Sequence, residues 1–194
     1  MRIVGGKHRG RRLNAPGPGL VRAGLRPSAE RLREALFDIL GHARPYRTAA
    51  GPLPVGAHVI DAFAGTGALG LEALSRGARS VTFLELDRDA ARLIQRNLAT
   101  LGEEAAARVL RLDACRPAPA PVAAELLVMD PPYRDDLGPA ALTALAAAGW
   151  LAPGAVIAVE RPARAGFEAP ADFQEEERRG YGRGAIHLLR YGGD

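Results

Sequence analysis

Cysteine is nearly missing: Cys115 is the only one in 194 residues. That rules out an intrachain disulfide and a zinc site built on cysteine pairs, and no metal is expected. No apolar run approaches the roughly 18 residues needed to span a bilayer. The opening MRIVGGKHRGRRL carries no apolar stretch of the kind a secretory leader needs. A cytoplasmic protein that touches no membrane is therefore expected. Aromatic residues are few, with one Trp, four Tyr and five Phe, so the chain has little means of reading a long nucleotide sequence by stacking. Lysine is as rare as cysteine: Lys7 stands alone and every other basic side chain is Arg. We read this as composition bias, which says little about any one position.

The charge that is present is unevenly spread. The net charge is +4, yet residues 1–33 hold Arg2, Lys7, Arg9, Arg11, Arg12, Arg22, Arg26, Arg31 and Arg33 against the single acid Glu30. The rest of the chain carries 17 basic and 21 acidic groups. A basic segment beside an acidic body is what a nucleic-acid contact looks like from sequence, a solvated basic tail being the alternative.

Residues 1–25 combine Gly and Arg with scattered β-formers and predict a short hairpin or an arm that orders on binding. RPSAERLREALFDIL (26–40) has apolar residues at helical spacing, with Ser28 as N-cap. From residue 57 the rhythm becomes regular. The strand-like runs AHVID (57–61), VTFLEL (81–86), ARVLRLD (107–113), ELLVMD (125–130) and AVIAVE (155–160) are interleaved with helical stretches at about 67–76, 88–101 and 136–148. A charged segment, DFQEEERRG (172–180), leads to AIHLLRY (185–191). This alternation predicts a doubly wound, mostly parallel sheet with helices on both faces. The last two runs are joined without a helix, which predicts an antiparallel pair at one edge. In such sheets ligands sit at the carboxyl ends of the strands, where Asp61, Glu85, Asp113 and Asp130 all fall.

The stretch DAFAGTGALG (61–70) contains a literal G-x-G-x-x-G. In a dinucleotide site the first glycine follows directly on the strand so that pyrophosphate can rest on the helix N-terminus. Here Asp61 closes the strand, and Phe63 and Ala64 precede Gly65. A carboxylate at the mouth of that loop repels pyrophosphate and suits a cationic ligand such as S-adenosyl-L-methionine, which carries a sulfonium and an amino group. Glu85, 20 residues after Gly65, stands where an acceptor for a ribose diol belongs. Gly65 and Gly67 let the backbone approach the cofactor. Taken singly, Asp61 reads equally well as a cap and Glu85 as an exposed strand-end acid.

Asp130-Pro131-Pro132-Tyr133 follows the apolar run LLVM. Two prolines remove two N–H donors and stiffen the turn, leaving a carbonyl oxygen and the Asp130 carboxylate as fixed acceptors beside the Tyr133 ring. That group suits an exocyclic amine on a nucleobase: two acceptors hold its hydrogens and aim its lone pair at the sulfonium methyl while the ring stacks on the base. With so electrophilic a donor, positioning and electrostatics carry most of the catalysis. Asp130 also stands ready for the released proton. The bland alternative is a rigid turn with an acid on a strand end. The motif does not separate guanine from adenine.

RIVGGKHRGRRL, RPSAERLREALFDIL, DAFAGTGALGLEALSRGA, ELDRDAARLIQRNL and DPPY together resemble the bacterial small-subunit rRNA guanine-N2 methyltransferases (the RsmD type), over nearly the whole chain. The resemblance implies a class I S-adenosylmethionine-dependent, Rossmann-like methyltransferase with a seven-stranded sheet. It divides the chain into a basic RNA-binding extension, 1–25, and a methyltransferase domain, 26–194. It implies methylation of N2 of one guanine, position 966 of 16S rRNA, in the 30S subunit or a late assembly intermediate, by a protein expected to be monomeric. Asp61, Phe63, Gly65 and Gly67 would then lie around the methionine part of the cofactor, with Glu85 on the ribose, Asp113 near the adenine and Asp130 also at the cofactor. Asp130, Pro131 and Tyr133 would meet the target base. Arg9, Arg11 and Arg12 would contact RNA, and Arg26 and Ser28 would lie near the site mouth. The Ala/Pro-rich stretch between Asp113 and Glu125 departs from the pattern and leaves Asp113 the weakest of these contacts. Glu160, closing the fifth strand, is open to two readings, lining the site or a plain strand-end acid. The rivals are an adenine-N6 methyltransferase acting on DNA or RNA, a nicotinamide-dependent oxidoreductase, and a non-catalytic RNA-binding assembly factor.

Overall fold

The structure, a computed structural model, describes residues 1–22, 30–132 and 137–193. Seven strands form one sheet: β1 (His58–Ala62), β2 (Ser80–Leu84), β3 (Ala107–Leu110), β4 (Ala124–Met129), β5 (Leu151–Pro162), β6 (Phe173–Tyr181) and β7 (Gly184–Tyr191). Their spatial order is β3-β2-β1-β4-β5-β7-β6. The first five run parallel, while β7 pairs antiparallel with both β5 and β6. This is the doubly wound sheet with an antiparallel edge that the alternation predicts. The charged segment is itself the edge strand β6. Only Phe173 of its nine residues is buried, which is why apolar periodicity does not reveal it. Charge on an edge strand also discourages edge-to-edge pairing.

Helices α1 (Glu30–His42), α2 (Ala68–Ser75) and α3 (Arg88–Leu101) contribute to the core on one face, and α4 (Leu137–Ala147) to the core on the other. Asp87 caps α3, its carboxylate accepting the N–H groups of Asp89 and Ala90 at 2.8 Å each, and Gly102 ends the helix in a left-handed conformation. Helix α2 differs in kind. All eight of its residues are buried, as expected of a helix enclosed on every side. Gly70 brings it against β2 so closely that a Cβ there would lie 2.3 Å from the Phe83 ring. Trp150, 1% exposed, donates its indole N–H to the Ala118 carbonyl at 2.8 Å and so pins the Ala/Pro-rich stretch to the core. None of the helices described is long and apolar enough to cross a membrane.

The N-terminal basic segment is docked on this body. Residues 1–13 turn back through a short 3-10 helix (Gly6–His8), with an antiparallel bridge between Arg2 and Arg12, and bury Ile3 and Leu13 in the α1–α3 side of the core. The anchor is Glu72 in α2, 0% exposed. Its carboxylate accepts the N–H groups of Val4 (2.9 Å) and Gly5 (2.7 Å) and pairs with Arg76 (2.9 Å) and the buried Arg33 (3.4 Å). Arg33 in turn donates to the Arg2 carbonyl at 2.7 Å. Ser75 completes the seat by donating to the Gly5 carbonyl and accepting the His8 N–H. Glu72→Ala therefore strips a buried guanidinium of its counter-charge and two backbone donors of their acceptor. We expect a loss of about 3–5 kcal/mol in urea unfolding, with tryptic cleavage at Lys7 and Arg9 under native conditions. Unchanged stability and continued protection of the hairpin would mean that another contact anchors it.

Candidate active site

The parallel strands deliver a row of acids to one edge of the sheet. In spatial order these are Asp113 beyond β3, Glu85 after β2, Asp61 in β1, Asp130 after β4 and Glu160 in β5. Asp61 faces Val128 in register across β1 and β4. Met129 faces Val159 across β4 and β5, so that Asp130 and Glu160 follow side by side. Crowding and burial shift these groups. Burial pushes Asp61 well above the ordinary carboxylate range and Glu85 and Asp130 add to this, while the Gly70 N–H pulls it back. Glu160 is pushed up to about 8, by burial and then by Asp130, with Arg33 opposing. Among the described residues no group of three His, Cys, Asp or Glu is disposed to hold a metal ion.

The loop between β1 and α2 is shaped by backbone demands. Phe63, half-buried, has φ +55, a left-handed conformation uncommon for L-residues other than Asn and Asp. Gly67 has φ +75, and a Cβ there would come within 2.9 Å of Ile94. The Gly65 N–H is held by Glu85 Oε2 at 2.6 Å, and Glu85 Oε1 accepts the Asp87 N–H at 2.7 Å. Glu85 thus fixes the glycine loop to the end of β2, with one lone pair per oxygen left for a ligand. Asp61 lies deeper than the sequence reading puts it: it is 2% exposed, with Oδ2 on the Gly70 N–H at 2.8 Å. The buried carboxylate therefore acts both as a cap and as a local negative charge. One N–H of the α2 N-terminus is consumed by a carboxylate, leaving that terminus poorly suited to a phosphate. The structure therefore brings Asp61, Phe63, Gly65, Gly67, Glu85 and Asp130 to one end of adjacent strands. This donor set fits S-adenosylmethionine, which has cationic groups and a ribose diol but no phosphate. Asp113 stands one strand further out, its Oδ1 accepting the Cys115 N–H at 2.9 Å.

Asp130 is half-buried and Pro131 buried at the end of β4. Gly138, near the start of α4, packs beside Pro131: a Cβ there would make ordinary contact with its ring at 3.5 Å and a tight one with Phe167 at 3.3 Å. Tyr133, Arg26 and Ser28 lie outside the described residues. Arg9, Arg11 and Arg12 are exposed on the docked hairpin, although the Arg11 guanidinium is tied to the Thr100 carbonyl at 2.9 Å. Arg33, counted from sequence with the basic segment, is 1% exposed and contributes nothing to a surface field.

Sequence reasoning passes over Glu72 and Arg33. The signal for Glu72 is present, a lone acid inside the otherwise apolar run GALGLEALS. Arg33 gives no comparable sign, because nothing in its neighbours tells a buried arginine from the exposed Arg31 two residues earlier.

The family model described as conserved hypothetical protein 95 matches residues 1–190. The ribosomal RNA small subunit methyltransferase D of Escherichia coli (strain K12) is 37% identical over 192 residues, covering 98% of this chain and 89% of that protein. The protein of the same name from Haemophilus influenzae is 38% identical over 164 residues, covering 82% and 78%. Among solved structures, yhhF from Escherichia coli superposes with a TM-score of 0.80 at 33% identity, covering 100% of this chain and 99% of that one. The fold is that of the class I methyltransferases, and by sequence and structure alike the chain belongs to the ribosomal RNA small subunit methyltransferase D family.

Proposed function

We propose that this chain methylates the exocyclic N2 of a single guanine of 16S rRNA, position 966, in the assembling 30S subunit. The observation that carries the reading is the meeting of Asp130 and Pro131 with Asp61, Glu85 and the glycine loop at the ends of adjacent strands; the family relationship supplies the RNA class. S-adenosylmethionine, when bound, supplies an electrophilic methyl group. Asp61 and the Phe63–Gly67 loop hold its methionine end, Glu85 its ribose and Asp113 the adenine side. The Asp130 carboxylate and the Pro131 carbonyl accept the two amine hydrogens of the base, drawing the nitrogen lone pair out of conjugation and toward the methyl. Asp130 then takes the proton that nitrogen gives up on becoming a secondary amine. Tyr133, from its place in the motif, supplies a ring on which the base stacks. Arg9, Arg11 and Arg12 bind phosphates and give affinity without reading sequence.

The direct test incubates the protein with labelled S-adenosylmethionine and 30S particles from cells lacking this activity, then digests the RNA to nucleosides. Label in N2-methylguanosine supports donor, base and atom together. Label in N6-methyladenosine moves the chain to the other purine. Particle binding without label means a non-catalytic factor.

Asp130→Ala is expected to abolish turnover while leaving S-adenosylhomocysteine affinity, by calorimetry, within about twofold; parallel loss of both would make Asp130 structural. Because Arg11 is tied to Thr100, the cleaner probe of the hairpin is Arg9→Ala with Arg12→Ala. That pair should lower the slope of log affinity against log salt for particle binding by about two, and an unchanged slope removes both side chains from the RNA contact.

A further inference from the structure

We propose that Glu160 is the second carboxylate of the base pocket, accepting the N1–H of guanine while Asp130 accepts the neighbouring amine, and that this pairing makes the site select guanine over adenine. The inference rests on the base-methylation reading above and supplies what the Asp-Pro-Pro-Tyr motif lacks, a means of telling the two purines apart.

Ala158 belongs to the core on the α1–α3 side of the sheet, and Glu160 lies two residues further along β5, so strand alternation directs it toward that side. Asp130 follows β4 directly, next to the end of this run, and its charge is felt by both Glu160 and Asp61. Glu160 lines a cavity there with Leu32 and Arg33 of α1, Leu69 of α2 and Met129 of β4. Behind it stands Arg33, fully buried, whose Nε faces Glu72 at 3.4 Å and whose Nη1 has no hydrogen-bond partner. This guanidinium lines the same cavity as Glu160, and its charge opposes the upward push on that carboxylate. A plain strand-end acid would stand in water at its ordinary value. Glu160 is instead half-buried next to a second acid, with a value pushed up to about 8, an arrangement that costs stability and is characteristic of ligand sites.

The chemistry of the purines matches two adjacent acceptors. In both guanine and adenine the exocyclic amine adjoins N1, so a base whose amine sits on Asp130 presents N1 to the next acceptor. Guanine N1 carries a hydrogen, and N1–H and N2–H then donate side by side to the two carboxylates. Adenine N1 carries a lone pair, which an ionised carboxylate repels.

The test uses the full chain, S-adenosylmethionine and 30S particles bearing either guanine or adenine at the target position, assayed above pH 8, where Glu160 is ionised. Wild type should yield N2-methylguanosine and leave the adenine particles unmarked. Glu160→Gln should lose about 10- to 100-fold in kcat on guanine, as expected for a charge-assisted hydrogen bond. It should gain detectable N6-methyladenosine on the adenine particles, because a carboxamide can turn its NH2 toward N1. S-adenosylhomocysteine affinity should stay unchanged. Stability supplies a readout that a structural role would not produce. The groups facing Glu160 are Asp130 on β4 and Arg33 on α1, the latter tied to Glu72 and Glu30. Because the folded-state value lies above the ordinary one, the folded state holds this proton more tightly, and stability falls as pH rises toward about 8. Glu160→Gln should therefore melt above wild type at pH values past 8 even as turnover drops. Wild-type kcat and selectivity in Glu160→Gln and Glu160→Ala, with wild-type protein active, overturn this proposal alone. Absence of N2-methylguanosine with wild-type protein overturns the underlying reading and this proposal with it.

Discussion

A carboxylate with no access to water must be matched from all sides, and Glu72 sets that condition at the centre of α2. Its partners come from three separate stretches: the Val4 and Gly5 N–H groups from the hairpin, Arg33 from α1 and Arg76 from the end of α2 itself. Removing the carboxylate leaves two backbone N–H groups and the buried Arg33 without their partner, and that penalty, more than the attraction within each pair, holds the segments in place. The basic residues at the front of the chain are thereby presented from a docked, partly buried platform. Gly6 belongs to the same seat. It has φ +73, and a Cβ there would lie 1.9 Å from the Ser75 carbonyl oxygen, so the turn and the dock are one requirement.

The second constraint is electrostatic. A parallel sheet aligns its strand ends, and acids at successive ends crowd together. The structure relieves this crowding unevenly. Glu85 is satisfied by two backbone N–H groups and Asp61 by one, while Glu160 has the field of Arg33 behind it. The same Arg33 bonds the Arg2 carbonyl. A single guanidinium therefore borders both the anchor of the hairpin and the cavity that Glu160 lines.

Much of this was legible in the residues. Apolar alternation located β1, β2, β4 and α3 within a residue or two, because each buries a face that only one register satisfies. Strand-end acids were legible for the same reason: they terminate apolar runs. The edge strand β6 was not, since its pairing is made by backbone while its side chains stay in water. Nor was the depth of Asp61, because a sequence that ends a strand in Asp reads the same whether the carboxylate caps a buried helix or lies open. Arg33 was hidden by composition: in a chain whose basic residues are almost all Arg, a structural arginine looks like every other.

These features divide the labour of the proposed reaction by charge. An acidic row at the strand ends repels a phosphate backbone, which in the proposed reaction leaves the exposed arginines of the hairpin to hold it. What the acids accept is the opposite kind of group, a neutral base edge rich in N–H donors. A guanine swung out of its strand presents such an edge, with N1–H and the amine adjacent, whereas adenine presents a donor beside a lone pair. On this proposal the basic hairpin binds RNA without choosing among sequences, and the acids admit one base without adding general affinity. Arg33, which bonds the Arg2 carbonyl, pairs with Glu72 and lines the cavity beside Glu160, is the one charge that both the hairpin seat and the proposed pocket share.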